Sequence, residues 1–88
     1  MYLHLGKGTV VAQRDIIAIF DLDITSQSHL TRKFLSAAEK AGQVINAAED
    51  IPKSFVLTCS NGDRRVYLSQ KATATLLRRA EDNVLMQN

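Results

Sequence analysis

Residues 14–23 read Arg-Asp-Ile-Ile-Ala-Ile-Phe-Asp-Leu-Asp and decide the fold class of this chain of 88 residues. The middle of the stretch, residues 16–20, is an unbroken apolar run of β-branched and aromatic residues with charge on both sides. A run that short and that apolar is more typical of a strand buried on both faces than of a helix. We therefore predict that residues 16–20 form the central strand of a small sheet.

Two short strands are predicted before this stretch. Residues 2–5 alternate in polarity, residues 9–12 are β-rich, and Gly-Lys-Gly at residues 6–8 separates them. Glycines on both sides of a lysine are also found in phosphate-binding loops. Here the Gly-x-x-x-x-Gly-Lys-Ser/Thr spacing is missing and the segment leads into a strand, so a hairpin turn is favoured.

A first helix is predicted over residues 28–41. Thr25, Ser26 and Ser28 are candidate N-caps, and Gly42 is a stop signal. Apolar residues recur at steps of three and four and are expected to face the core. This stripe consists of Leu30, Phe34, Ala37, Ala38 and Ala41.

The second half of the chain predicts an edge strand, a hairpin and a second helix. Residues 44–47 are the edge strand, and the β-rich runs 54–59 and 64–68 lie on either side of Asn-Gly, a strong hairpin signal. A helix over 73–82 follows, with Leu76, Leu77, Ala80 and Val84 as its apolar side. The predicted fold is a single α+β domain over residues 1–84, in the order β-β-β-α-β-β-β-α. Two helices pack on a mixed or antiparallel sheet, and residues 85–88 form a frayed tail.

The composition and the length of the chain limit the classes of function it can have. Eleven Lys/Arg against nine Asp/Glu give a net charge of +2, and 45% of the residues are hydrophobic, which is ordinary for a folded domain. A chain this short buries little core and gains stability from oligomerisation. It shows neither a signal peptide nor an apolar run of roughly 20 residues, so a cytoplasmic protein without a membrane partner is expected.

Residues capable of catalysis or metal binding are scattered. Asp21 and Asp23 lie two apart and could hold a cation, although capping of the strand end or solvent exposure explains them better. His4 and His29 have no neighbouring ligand at metal-binding spacing, and Cys59 lies in an apolar alternation typical of a core residue. We predict no enzyme, no metal site and no cofactor.

Basic residues are the best candidates for a binding function, because the planar fork of arginine matches phosphate. They occur at predicted loops, strand ends and helix exteriors, and a solvated surface with local acidic partners is the alternative explanation. The clusters are Arg14, Arg32-Lys33, Lys53, Arg64-Arg65 and Arg78-Arg79. No recognition-helix, zinc-finger or aromatic ribonucleoprotein signature accompanies them.

The chain as a whole resembles the RemA/RemB family of bacterial extracellular matrix regulators, and its RemB branch in particular. The resemblance is carried by collinear segments from the first residue to about Ala80. They are Met-Tyr-Leu-His-Leu-Gly at 1–6, Val-Val at 10–11, Arg-Asp-Ile-Ile-Ala-Ile-Phe-Asp at 14–21, Pro-Lys-Ser-Phe-Val-Leu-Thr at 52–58, Val-Tyr-Leu-Ser at 66–69 and Thr-Leu-Leu-Arg-Arg-Ala at 75–80.

The resemblance implies a transcriptional regulator of biofilm matrix genes that binds double-stranded DNA and assembles into a ring of identical subunits. RemA-type chains carry an arginine pair where this chain has Ile-Pro-Lys at 51–53, and a further arginine where it has Asp15. We predict that Arg14 and Lys53 lie on one basic rim of the ring, with Arg64 and Arg65 as the next DNA-binding candidates. The alternative is a protein-interaction module that co-assembles with a related family member and touches no DNA.

Overall fold

The computed structural model describes residues 1–25 and 28–86. Its elements are β1 (Tyr2–Gly6), β2 (Thr9–Ala12), a 3-10 turn (Gln13–Asp15), β3 (Ile16–Asp21), the single turn α1 (Leu22–Thr25), α2 (His29–Lys40), β4 (Val44–Asn46), β5 (Ser54–Ser60), β6 (Asp63–Ser69) and α3 (Thr73–Met86). The α+β class and the predicted order of strands and main helices are confirmed. Fraying of 85–88 stays a prediction, and residues 87 and 88 lie outside the described ranges.

The strands form a hairpin and a four-stranded sheet. β1 and β2 pair antiparallel, and the sheet has the order β3-β5-β6-β4. All its neighbours are antiparallel except β4 and β6, which are parallel. Asn61 and Gly62 both have positive φ, at 52° and 82°, which is the backbone a two-residue type I′ hairpin requires. The predicted β5–β6 hairpin is therefore confirmed.

The central-strand prediction is wrong, because β3 lies at the edge of the sheet beside β5. Two of its large side chains are exposed to solvent, Ile17 by 60% and Phe20 by 36%. The interior strands are β5 and β6, and in β5 the side chains of Phe55 and Val56 point to opposite faces and are both buried. An apolar run therefore indicated a strand correctly, but its position in the sheet depends on which strands pair with it.

One face of the sheet, here called the covered face, is closed by α3 and the β1–β2 hairpin. Its cluster of buried residues joins both layers: Leu3, Leu5, Val11, Ala47, Val56 and Leu76. Ile16, Ile19 and Tyr67 pack against it. Most of the deeply buried apolar side chains of the described chain belong to this cluster, so we assign most of the hydrophobic stabilisation to this face.

The other face, here called the open face, is covered by α2, and Leu22 of α1 packs against its core as well. Its buried core is Ala38, Phe55 and Val66, with Leu35 among the partly buried residues against it. The predicted core-facing stripe is confirmed at Ala38 and in part at Phe34, whose ring centroid lies 6.5 Å from that of Phe55, and is wrong at its other positions. Leu30 is 76% exposed and Phe34 39%, and Ala37 and Ala41 are also exposed. The helix therefore turns the Leu35 and Ala38 side to the sheet and leaves much of its apolar stripe uncovered.

The β1–β2 hairpin meets the covered face through a close backbone contact and a hydrogen bond from a buried serine. Gly6 has φ +133°, and a Cβ at this position would lie 2.6 Å from the carbonyl oxygen of Ala47. The Ser69 hydroxyl, fully buried, donates to the carbonyl oxygen of Leu5 at 2.7 Å and accepts from the Lys71 amide at 3.1 Å. The buried Ser54 hydroxyl donates to the Lys71 carbonyl at 2.8 Å. These bonds satisfy polar groups that would otherwise be costly inside the core.

Candidate nucleic-acid interface

Three of the four predicted DNA-binding residues gather at one end of the sheet, here called the arginine end. Arg14 lies in the 3-10 turn that leads into β3, and β3 begins at Ile16, which pairs with Thr58. Thr58 pairs in turn with Arg65, and Cys59 pairs with Arg64. Strand register therefore brings the start of β3 and the start of β6 to the same end of the sheet, together with Arg14, Arg64 and Arg65.

Lys53 lies at the opposite end. It directly precedes β5, where Ser54 pairs with Asp21, the last residue of β3. The four steps of β5 from Ser54 to Thr58 amount to about 13 Å. The prediction that Arg14 and Lys53 share a rim is therefore wrong for a single subunit, because antiparallel pairing puts the start of β5 beside the end of β3.

The three arginines differ in how available they are. Arg65 Nε donates to Asp63 Oδ2 at 2.9 Å, and this hydrogen bond, with the charge of Asp63, raises the pKa of Arg65 further above its usual value. Within the described ranges, Arg14 and Arg64 make no such ion pair and are exposed. A phosphate would therefore compete with Asp63 for Arg65, but would meet Arg14 and Arg64 without a carboxylate partner.

Arg64 and Arg65 point to different sides of the sheet, because successive side chains of a strand alternate. Arg65 lines a cleft of about 500 Å³ between β2 and the β5–β6 hairpin, together with Thr58 and Tyr67. Arg64 lines a groove of about 310 Å³ beside Ala41 and Gly42, at the end of α2.

Lys71 is a further cation at the Ser54 end of the sheet that no sequence pattern indicated. The Lys71 ammonium donates to the carbonyl oxygen of His4 at 3.3 Å, across 67 residues of sequence. Partial burial and the positive charge of Arg79 together lower the pKa of Lys71. Nothing local in the sequence indicates this contact, since it depends on how the hairpin sits on the end of β6.

Of the residues considered for catalysis or metal binding, Asp21 has a local backbone partner and Cys59 is a free thiol. Asp21 Oδ1 accepts from the Asp23 amide at 2.8 Å, so the capping interpretation of this pair is confirmed. Cys59 is a free, partly buried thiol. Across the described parts of the chain, no group of three or more His, Cys, Asp or Glu residues could hold a metal ion. Nor does any described helix combine the length and apolar character needed to span a bilayer.

The match to a known family covers nearly the whole domain. Residues 2–80 match the model of a family described as RemA-like, extracellular matrix regulatory protein A-like. The chain belongs to the RemA-like family. This RemA-like chain is also 36% identical over 81 residues to extracellular matrix regulatory protein B of Bacillus subtilis (strain 168), covering 92% of this chain and 91% of that protein. The resemblance to the family and to its RemB branch, stated from the sequence, is confirmed.

Proposed function

We propose that this chain is a DNA-binding transcriptional regulator of extracellular matrix (biofilm) genes. It binds the phosphate backbone of duplex DNA along the repeated basic surface of a ring of identical subunits. Such a protein acts in the bacterial cytoplasm, where the promoters are. The family to which the chain belongs supports a regulatory role rather than an enzymatic one.

The observation that carries the DNA-binding part is the gathering of Arg14, Arg64 and Arg65 at the arginine end. Arginine donates two parallel hydrogen bonds to a phosphate, and all three side chains are exposed. Two of them are free of an ion pair within the described residues. Contacts of this kind position a protein on DNA without reading base sequence.

Assembly into a ring supplies what one subunit lacks. Three arginines on a chain of net charge +2 form a weak electrostatic site. Copies joined in a closed array bind one DNA molecule at high effective concentration and add their contacts. A rim that contains both Arg14 and Lys53 then has to combine residues of different subunits, because the two lie at opposite ends of one sheet.

A salt titration of duplex DNA binding by fluorescence anisotropy tests the proposal. The logarithm of the affinity should fall linearly with the logarithm of salt concentration, with a slope of about −0.9 for each phosphate contact. The Arg14→Ala/Lys53→Ala double variant should bind more weakly and with a shallower slope, and Arg64→Ala and Arg65→Ala should follow. Lys33→Ala, an exposed cation on α2 outside the proposed set, serves as control.

The result decides between the residues and the function. An unchanged affinity and slope in the double variant removes Arg14 and Lys53 from the site. No binding by the wild-type protein, even in dilute buffer, overturns the DNA-binding proposal.

A second candidate is a protein-interaction module that co-assembles with a related regulator of the same family. The exposed Leu30 and Phe34 on α2 favour it, since large apolar side chains on a small domain are suited to protein contacts. Retention of a purified family member by the immobilised chain, with no retention of DNA by the chain alone, would support this candidate over the first.

A further inference from the structure

A pocket of about 340 Å³ lies beside the turn of the β1–β2 hairpin and is here called the turn pocket. Its lining includes the turn itself (residues 6–8), Glu49 of the loop after β4, and Gln70 and Lys71 after β6. The end of β6 at Ser69 is four residues, or about 13 Å, from Arg65. The turn pocket is therefore separate from the arginine end.

The turn places a lysine in a backbone conformation that lysine seldom adopts. Lys7 and Gly8 have φ of 47° and 71°, the two positive values of a type I′ turn. At the same position of the β5–β6 hairpin the chain has Asn61, a residue type that adopts this conformation more readily. Residues held in unfavourable backbone conformations cluster at ligand-binding positions. The cation of Lys7 in such a position, at the wall of a pocket, indicates a ligand of negative charge.

Lys71 adds a second cation that the fold leaves without a counter-ion. Its ammonium donates to the carbonyl oxygen of His4 at 3.3 Å, which uses one of its three N–H donors. Within the described residues, neither Lys71 nor Lys7 forms an ion pair. Burial and the positive charge of Arg79 lower the pKa of Lys71. An anion in the turn pocket would offset the repulsion between Lys71 and Arg79.

We propose that the turn pocket binds a phosphate group through the ammonium groups of Lys7 and Lys71. A phosphate monoester carries a charge of about −1.5 to −2 at pH 7, which matches two ammonium groups, and lysine binds phosphate as a point charge. A Cβ added at Gly8 would meet no atom within 4 Å, so a ligand can approach the backbone of the turn closely. The site goes beyond the proposed function and does not require DNA binding at the arginine end.

The volume of the turn pocket indicates what carries the phosphate. About 340 Å³ lies within the range of pockets that hold small ligands. The group therefore belongs to a small phosphorylated molecule or to the backbone of a nucleic acid that passes this end of the sheet, and the two sources can be told apart by experiment.

Glu49 opposes a phosphate in this pocket. Its side chain is exposed, and its amide donates to Gln70 Oε1 at 2.7 Å, which holds the loop after β4 beside the residues that follow β6. Because its carboxylate repels an anion, removing the charge of Glu49 should strengthen phosphate binding. A purely structural role of the two lysines does not predict this gain.

Titration with inorganic phosphate, followed by the amide NMR signals at constant ionic strength, tests the site. The signals of residues 6–8 and of Lys71 should shift and saturate. Lys7→Asn, which creates the Asn-Gly turn already present at 61–62, should weaken phosphate binding about threefold, and Lys71→Gln about tenfold. Glu49→Gln should tighten it about twofold. Lys33→Gln, an exposed cation on α2, is the control and should leave the affinity unchanged.

Two results would overturn the proposal. One is an unchanged phosphate affinity in Lys7→Asn, and the other is an equal shift of the same signals with sodium chloride alone. If Lys71→Gln fails to fold, the opposite effects of Lys7→Asn and Glu49→Gln still decide, because both residues are exposed.

Adenosine monophosphate and duplex DNA distinguish the source of the phosphate. For a small phosphorylated molecule, adenosine monophosphate should displace inorganic phosphate from residues 6–8, and Lys7→Asn should leave the affinity for DNA unchanged. For a nucleic acid, duplex DNA should shift the same signals, and Lys7→Asn should lower its affinity. If neither probe reaches these residues, the proposal is wrong.

The turn pocket and the proposed function can fail separately. A wild-type protein that binds phosphate at residues 6–8 and ignores DNA retains the pocket and loses the DNA-binding proposal. One that binds DNA through the arginine end but no phosphate at the turn loses the pocket alone.

Discussion

The two faces of the four-stranded sheet differ in how fully the chain covers them. On the covered face, two layers of the chain meet around Leu3, Leu5 and Leu76, which are almost completely buried. On the open face, one helix of 12 residues packs through Leu35 and Ala38 and leaves a shallow apolar groove of about 230 Å³. The difference teaches that the covered face stabilises the fold, while the open face and the neighbouring β3 edge are available for contacts with other molecules.

The largest loss of stability is expected when a side chain that joins α3 to the covered face is removed. Leu76→Ala should cost about 3 kcal/mol in the free energy of unfolding, through lost burial and the cavity that remains. Leu77→Ala, the next residue, is 47% exposed and should cost less than about 1 kcal/mol. Urea unfolding of both variants measures the contrast, and similar costs would contradict the assignment of the core to this face.

The contact between Gly6 of the β1–β2 hairpin and the Ala47 carbonyl should make a smaller contribution to stability. Gly6→Ala should destabilise by about 2 kcal/mol, because alanine is strained at φ +133° and its Cβ would meet the Ala47 carbonyl. Gly8→Ala is the control: its φ of +71° is also unfavourable, but the space around it is open, so a cost of about 1 kcal/mol is expected. Equal unfolding midpoints in urea would mean that the hairpin is not held by this contact.

On the open face, a large side chain should matter less for folding. Phe34→Ala should cost about 1 kcal/mol in the dilute chain, because the ring is 39% exposed and loses only part of its burial. If the loss equals that of Leu76→Ala, the open face is closed in solution and the comparison fails. If the cost rises with protein concentration, a second copy covers this face.

The smallest effect is electrostatic and lies at the rim of the covered face. Burial, and then the charge of Arg79, lower the pKa of Lys71, so the unfolded chain binds this proton more tightly than the folded one. Stability from Lys71 is therefore gained as the pH rises through the lowered pKa toward the usual lysine value near 10.4. Relative to Lys71→Gln, the wild type should become more stable in urea as the pH rises toward about 10.4, the ordinary pKa of lysine. Arg79→Gln should reduce this gain, and a gain of opposite sign would contradict the assigned cause.

The predictability of the candidate site varied from residue to residue. Arg14, Arg64 and Arg65 were identified from side-chain chemistry. Arg64 and Arg65 are consecutive residues, so their closeness was evident from the sequence. Their nearness to Arg14 depends on Ile16 pairing with Thr58, a contact across 42 residues that no local rule supplies. For the same reason the separation of Lys53 from Arg14 and the approach of Lys71 to His4 were not predicted.

Local sequence patterns were enough to place the six strands and the starts of the two main helices, but not the 3-10 turn, α1 or the end of α3 at Met86. Apolar periodicity, the Asn-Gly hairpin and the Ser28 cap act over a few residues, so they can be read locally. Family membership also followed from the order of short segments. The position of β3 at the edge of the sheet, and the burial of Leu35 and Ala38 of α2 while Leu30 stays exposed, became visible only in the folded chain. The physical reason is that burial and pairing depend on the partner an element meets, and those partners lie tens of residues away along the chain.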